Sequence, residues 1–314
     1  MKDLKINFGL ATVMGAVRHM WKILIKSYLL CGYMILGIII SAALNGLRGL
    51  IQAVGNIIII AIFSVLIKCM TKETNSTSYI KKPIKETVIG VIFLIVQGIV
   101  LLVLWEQVNV PLFSEGIKYL FHFGHQIVNI LSKIGIPDWL LPYIGNAVLS
   151  IFITLLPTLI LFGILGYRVK RINLRDCNFK LIITLLCITI LIGLPFKVFG
   201  RYTLLQAMAI YIVHLFINGI PEELLFRGFL LPRIEKAMGN SINALIIVSL
   251  LFNLIHVPQQ LYNGSSLLVS LIGVFSLAFP SGLIWGYLYL RTRSSIPGVL
   301  WHTSFGVLGI YLIS

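Results

Sequence analysis

Residues 218–234 read NGIPEELLFRGFLLPRI, an apolar run that carries two adjacent glutamates and an arginine. The chain has only ten acidic residues in 314, so placing two of them side by side in such a run needs a physical reason. On a helix, Glu223 and Arg227 stand four residues apart with the acid N-terminal, the favourable order for an ion pair. In a low dielectric that pair satisfies both charges. Glu222 lies about 100° around the same helix and has no obvious local partner. This spacing marks Glu222 as a base and Glu223 as its structural companion. Pro221 suits a first helical turn, and the positive end of the helix dipole there favours ionised carboxylates.

Working outward, the surroundings are those of a polytopic membrane protein. Hydrophobic residues make up 58% of the chain and charged residues 11%, against about 25% charged in soluble domains. Runs long enough to cross ~30 Å of hydrocarbon occur near 27–45, 50–67, 87–105, 143–166, 180–199, 203–220, 241–257, 266–290 and 296–313. They predict an all-α transmembrane bundle with eight or nine spans. The basic N-terminal stretch reads as an interfacial helix rather than a cleaved signal peptide, because Arg18, His19, Lys22 and Lys26 interrupt it. Segment 106–142 has helical spacing at Ile117, Leu120, Phe121, Ile127 and Ile130, which predicts an amphipathic surface helix. With nine spans and the N-terminus inside, twenty of the 25 Lys and Arg fall on the inner side. Arg48, Lys118, Lys133, Lys197 and Arg201 are the outer ones. That bias predicts a cytoplasmic N-terminus and accounts for the net charge of +15 without nucleic acid. Cys31, Cys69, Cys177 and Cys187 show no CxxC spacing and read as small core residues. The chemistry-bearing residues all lie beyond about position 180. This gives an expected division into an N-terminal membrane region, 1–179, and a catalytic membrane core, 180–314.

An ionisable group inside a span costs on the order of 2.5–3.5 kcal/mol at a helix centre, so each one needs a reason to be there. Besides the glutamates and Arg227, the candidates are His256 in SLLFNLIHVP, His302 in PGVLWHTSFG and, as a lesser one, His214 in YIVHLF. A lone membrane histidine such as His214 is more often a packing or hydrogen-bonding group than a catalyst. His19, His122 and His125 lie in interfacial segments and carry no assigned chemistry. AMGNSIN, residues 237–243, reads as a tight turn with Glu222 and His256 each 17 residues from Gly239. An antiparallel helical hairpin would set the two at one membrane depth. Phe252, one turn before His256, could wall such a site, and Pro258 predicts that the helix ends soon after. Two acids and two histidines on three helices could hold a water, or a metal-bound water, and polarise a carbonyl, which is the equipment of peptide hydrolysis. No HExxH, GxSG or GxGD string is present.

EELLFRG at 222–228, FNLIH at 252–256 and HTSFG at 302–306 together resemble the CPBP family of intramembrane proteases. That family comprises type II CAAX prenyl proteases and related bacterial proteins of bacteriocin processing or immunity. The resemblance covers about residues 180–314. It implies an intramembrane endopeptidase in which Glu222 activates water with Glu223 assisting and Arg227 holds the glutamate helix. It further implies that His256 binds or orients the water or a metal, and that His302 stabilises the oxyanion or completes a metal site. A divalent metal such as zinc, with Glu222, His256 and His302 as its ligands, and a metal-free site are both open on this reading. Gly306 departs from the family's commoner Asn or Asp, so a polar donor is missing unless Thr303 or Ser304 substitutes. The implied partners are the lipid bilayer and a membrane-associated or lipidated peptide or protein substrate, in a bacterial cell membrane. The alternative functions are a non-catalytic scaffold, as in bacteriocin self-immunity, and a transporter. No ion-pathway acids in the first half support the latter.

Overall fold

The computed structural model describes residues 10–72, 80–104, 111–167, 179–193, 203–277 and 280–313, and every regular element among them is helical. In chain order these are α1 (Leu10–Lys26), α2 (Tyr28–Met70), α3 (Pro83–Leu104), α4 (Pro111–Lys133), α5 (Leu141–Ser150), α6 (Leu156–Ile164) and α7 (Phe179–Gly193). They continue with α8 (Leu204–His214), α9 (Ile220–Glu223), α10 (Leu231–Met238), α11 (Ser241–Leu254), α12 (Val257–Tyr262), α13 (Leu267–Gly273), α14 (Ser281–Thr292) and α15 (Ile296–Ile313).

Among the described residues five helices are long and apolar enough to cross a membrane: Tyr28–Met70, Pro83–Leu104, Leu141–Ile164, Leu205–Met238 and Ser241–Tyr262. The chain is an integral membrane protein. The eight or nine apolar runs become five such helices for identifiable reasons. The first two runs are arms of the single element α2. The run at 266–290 is divided between the short helices α13 and α14, and the run at 180–199 is helical only as far as Gly193 among the described residues. The run at 203–220 instead continues through the charged stretch to Met238. The amphipathic helix expected within 106–142 is α4, and residues 106–110 lie outside the described part of the chain.

Two compact units emerge, residues 1–89 with 230–293 and residues 90–229 with 294–314. Both draw on residues from either side of position 180. In the first unit, α2 reverses direction at Gly46, whose φ of 59° and ψ of −141° are not helical. Ser41 Oγ accepts from Leu277 N at 3.3 Å and Asn56 Nδ2 donates to Leu277 O at 2.5 Å. In a straight helix those two side chains would stand ~22 Å apart, so sharing one residue requires the arms to fold back on each other. Charged side chains tie the ends of this unit together. Arg233 Nε donates to Glu86 Oε2 at 2.9 Å, Lys236 Nζ to Ile80 O at 2.6 Å, and Arg291 Nη2 to Thr71 O at 2.8 Å. Arg293 completes the set with both guanidinium nitrogens on Glu235. The turn expected at 237–243 is built by Gly239 in the left-handed conformation and by Asn240, whose Oδ1 accepts from Ile242 N and Asn243 N.

The second unit is organised around prolines. Proline cannot donate to the carbonyl four residues back, and its ring crowds that carbonyl. Widening the helix to i→i+5 bonding relieves the crowding. Three π segments stand immediately before a proline-bearing turn: Ile151–Leu155 before Pro157, Leu215–Gly219 before Pro221, and Leu224–Leu230 before Pro232. Side chains satisfy the orphaned carbonyls. Gln97 Nε2 donates to Ile153 O, four residues before Pro157, at 3.2 Å. Ser150 Oγ donates to Ile217 O, four residues before Pro221, at 2.5 Å. These bonds seat α3 on α5–α6 and α5 on the helix that carries the glutamates.

Candidate active site

The glutamates occupy a four-residue α-helical turn, α9, with π segments on either side. Glu223 and Arg227 are both fully buried, and Arg227 Nη1 donates to Glu223 Oε1 at 2.9 Å. A carboxylate paired with a guanidinium in this way only accepts hydrogen bonds. His302 Nδ1 lies 3.0 Å from the same Oε1, so Nδ1 carries the proton and donates. Nε2, on the other edge of the ring, lies 3.7 Å from Glu222 Oε2, so the imidazole stands between the two glutamates. Glu222 Oε2 itself has no hydrogen-bond partner. The Glu222 side chain is 23% exposed where Glu223 is 0%, although Oε2, the oxygen that faces His302, is itself buried. At 3.7 Å the two atoms are beyond direct hydrogen-bond length, and a water beside them can bond to both.

Glycines set how closely α15 approaches the glutamate helix. A methyl group at Gly298 would stand 2.6 Å from Glu223 Oε2, and one at Gly219 would collide with Thr303 Oγ1. Tyr211 Oη donates to Leu300 O at 2.8 Å and Trp301 Nε1 donates to Thr189 Oγ1 at 2.9 Å. These two bonds, at the residues just before His302, fix α15 against α8 and α7. One turn beyond His302, Gly306 faces Asn218 and His214. The sequence singled out His214 only as a lesser candidate, and Asn218 was not read at all. The available signal was spacing: His214, Asn218 and Glu222 follow one another at four-residue intervals. Thr303 Oγ1 donates to Val299 O at 2.7 Å and Ser304 Oγ to Trp301 O at 2.6 Å. Both hydroxyls are thus committed to their own helix rather than replacing a polar side chain at 306.

His256 and Phe252 belong to the other unit. His256 lies on the turn between α11 and α12, with Nδ1 2.7 Å from Phe252 O, and the Phe252 ring meets Trp285 edge-on at 6.0 Å. The carbonyl can only accept, so Nδ1 donates and the ring's orientation is set. The helix ends at Leu254, before His256 rather than after it as the sequence predicts, and Pro258 lies in the first turn of α12. The equal-spacing argument for membrane depth assumes a regular rise of 1.5 Å per residue. The π segment Leu224–Leu230 breaks that regularity on the glutamate side. Catalytic zinc takes three protein ligands and keeps one position open. Within the glutamate unit Glu222 and His302 offer two, and Glu223 is held by Arg227. Among the described residues no group of three or more His, Cys, Asp or Glu side chains is placed to hold a metal ion.

Residues 203–308 match the Rce1-like family, described as type II CAAX prenyl endopeptidase Rce1-like. The matched region includes Glu222, Glu223, Arg227, His256, His302 and Gly306. The family is one of intramembrane proteases. Comparison with curated proteins and with solved structures gives no match.

Proposed function

We propose that this membrane protein, Rce1-like over residues 203–308, is an intramembrane endopeptidase that cleaves a membrane-associated or lipidated peptide with a water activated by Glu222. The observation that carries the reading is the 3.7 Å approach of Glu222 Oε2 to His302 Nε2, with the His302 ring held from behind by Glu223. A water held beside them bonds to both. Glu222 takes a proton as the water oxygen bonds to the scissile carbonyl carbon, and the carbonyl oxygen becomes an oxyanion. Collapse of that intermediate breaks the C–N bond. The leaving nitrogen takes the proton back from Glu222, which regenerates the carboxylate and releases an acid and an amine. Arg227 and Glu223 act through His302 by fixing its ring and tautomer, as carboxylate partners do for reactive histidines. The part of His256 rests on the family resemblance alone, as a group that orients the water or the substrate. The substrate class, the cytoplasmic N-terminus and the bacterial membrane belong to the same proposal.

The test is Glu222→Gln in the full chain, reconstituted in liposomes and assayed with a fluorogenic peptide carrying a farnesylated cysteine in a Cys-aliphatic-aliphatic-X terminus and with unprenylated membrane peptides. The expected outcome is unchanged insertion and melting with cleavage reduced by at least ~10²-fold. Cleavage at the wild-type rate by the Gln variant, or none of these peptides cleaved by the wild type, overturns the reading.

A further inference from the structure

Beside the glutamate–histidine pair lies a second group of polar atoms that the hydrolytic step above does not use. Asn218 precedes Glu222 by four residues, and His214 precedes Asn218 by four. On the facing helix, Gly306 follows His302 by the same interval. A Cβ at Gly306 would stand 2.7 Å from Asn218 Nδ2, 3.4 Å from Asn218 Oδ1 and 3.2 Å from His214 Nδ1. Both side chains therefore lean into the volume that a side chain at 306 would occupy. His214 is only 7% exposed, and its ring interacts with the Asn218 side chain, but neither ring nitrogen nor Asn218 Oδ1 has a partner at good hydrogen-bond geometry. Buried polar atoms without partners are costly in an apolar surrounding. A cluster of them along one helix face, next to a reaction centre, points to a polar ligand.

We propose that Asn218 is the oxyanion donor of this site: its Nδ2–H group donates to the scissile carbonyl oxygen, and the absence of a side chain at Gly306 is what admits the carboxamide. This rests on the endopeptidase reading above. The spacing agrees with the role. In a reactive arrangement the attacking water lies about 3–3.5 Å from the carbonyl carbon, and an oxyanion donor lies about 2.7–3.1 Å from the oxygen. Asn218 precedes Glu222 by four residues, about one turn, across the end of the π segment Leu215–Gly219. Oxyanion donation requires an N–H or O–H not already spent. The nearby hydroxyls of Thr303 and Ser304 are spent on Val299 O and Trp301 O, which leaves the carboxamide as the side-chain donor on this face. His214 stands behind it as the group that can hold Oδ1 through a ring N–H.

The experiment measures kcat and KM for the same farnesylated peptide with the full chain in liposomes, alongside detergent melting curves. Asn218→Ala and the near-isosteric Asn218→Asp are each expected to lower kcat by ~10²–10³-fold, the usual loss for one oxyanion donor, with KM and melting close to wild type. The decisive variant is Asn218→Ala combined with Gly306→Asn. It returns a carboxamide to the same space from the opposite helix and is expected to recover at least tenfold of the lost kcat. A kcat within about threefold of wild type in Asn218→Asp overturns the proposal. So does a loss that appears only together with a collapsed melting transition, or a double variant that melts normally but is no faster than Asn218→Ala. A wild-type chain that cleaves nothing removes the endopeptidase reading and this proposal with it, whereas an active wild type with an active Asn218→Asp removes this proposal alone.

Discussion

Replacing Gly298 by alanine tests whether Glu223 is held as tightly as its hydrogen bonds suggest. The added Cβ would stand 2.6 Å from Glu223 Oε2 and 3.2 Å from its carboxyl carbon. Restoring an ordinary contact of about 3.4 Å requires a displacement of roughly 0.8 Å, on the scale of a packing gap that already forfeits much of a van der Waals well. The carboxylate has nowhere to absorb it. Oε1 is fixed by Arg227 Nη1 at 2.9 Å and by His302 Nδ1 at 3.0 Å, and a shift of that size carries one or both bonds past useful length. Overpacking of this kind costs about 1–3 kcal/mol, and misplacing a catalytic group by ~1 Å costs about 10²-fold in rate. The sign is what makes the test sharp. In a helix with space for it, Gly→Ala stabilises by about 0.5–1 kcal/mol, so a clash and a vacant position predict opposite shifts in melting temperature. The measurement is thermal unfolding in detergent beside peptide cleavage. A second substitution, Glu223→Asp, withdraws the carboxylate by one methylene and should recover part of the stability of Gly298→Ala. A Gly298→Ala protein that melts at or above the wild-type temperature and cleaves normally would refute this account of the site.

The pairing of Glu223 with Arg227 predicts asymmetric mutational behaviour. Arg227→Ala leaves an uncompensated buried carboxylate and should destabilise by about 3–5 kcal/mol, whereas Glu223→Gln with Arg227→Met removes both charges and should melt closer to wild type while remaining inactive. A double variant that cleaves peptide at the wild-type rate would show that the pair does not orient His302. In the other unit, Gly46→Ala should cost about 1–3 kcal/mol for its backbone conformation alone, since nothing lies within 4 Å of the added Cβ. Gly55→Ala, equally unobstructed but without a positive φ, should instead stabilise by about 0.5–1 kcal/mol, and equal melting shifts for the two would count against a reversal at Gly46.

The membrane class and the charge pairing were legible in the sequence because each follows from a short-range rule. Composition alone implies the bilayer, and an acid four residues before an arginine implies the pair. The reversal inside α2 was legible as a gap between two apolar runs, but Gly46 was not named because no glycine in that stretch announces a positive φ. Arg227 was counted among the topogenic charges, whereas the structure buries it against Glu223. Arg233, Arg291 and Arg293 are likewise spent on partners within their unit. The positive-inside count therefore rests on fewer exposed charges than the sequence presents. The niche at Gly306 could not be read from spacing alone. Its existence depends on which residues of α8 and α15 face each other, and that register is set by side-chain bonds such as Tyr211 to Leu300 O and Trp301 to Thr189. These link positions 89 and 112 residues apart in the chain.

The prolines connect these observations. A regular membrane helix satisfies its own backbone and offers its neighbours only side chains. In the glutamate helix, Pro221 releases the carbonyl of Ile217, and Ser150 of α5 accepts the role of partner to it, so a helix defect becomes a specific joint to the neighbouring helix. The π segments on both sides of α9 also change the angular relation of Glu222 and Glu223 to the rest of the span, since i→i+5 bonding does not advance 100° per residue. One acid can thus be turned fully into the Arg227 and His302 contacts while the adjacent one stays partly exposed. A straight helix through 205–238 would carry the same residues with the same spacing, but the orientation that separates the two carboxylates would be lost. The charged stretch at 218–234 is therefore tolerated in an apolar span for the same reason that it can act there: its backbone irregularities are partnered, and its charges are paired except where a substrate or water can reach them.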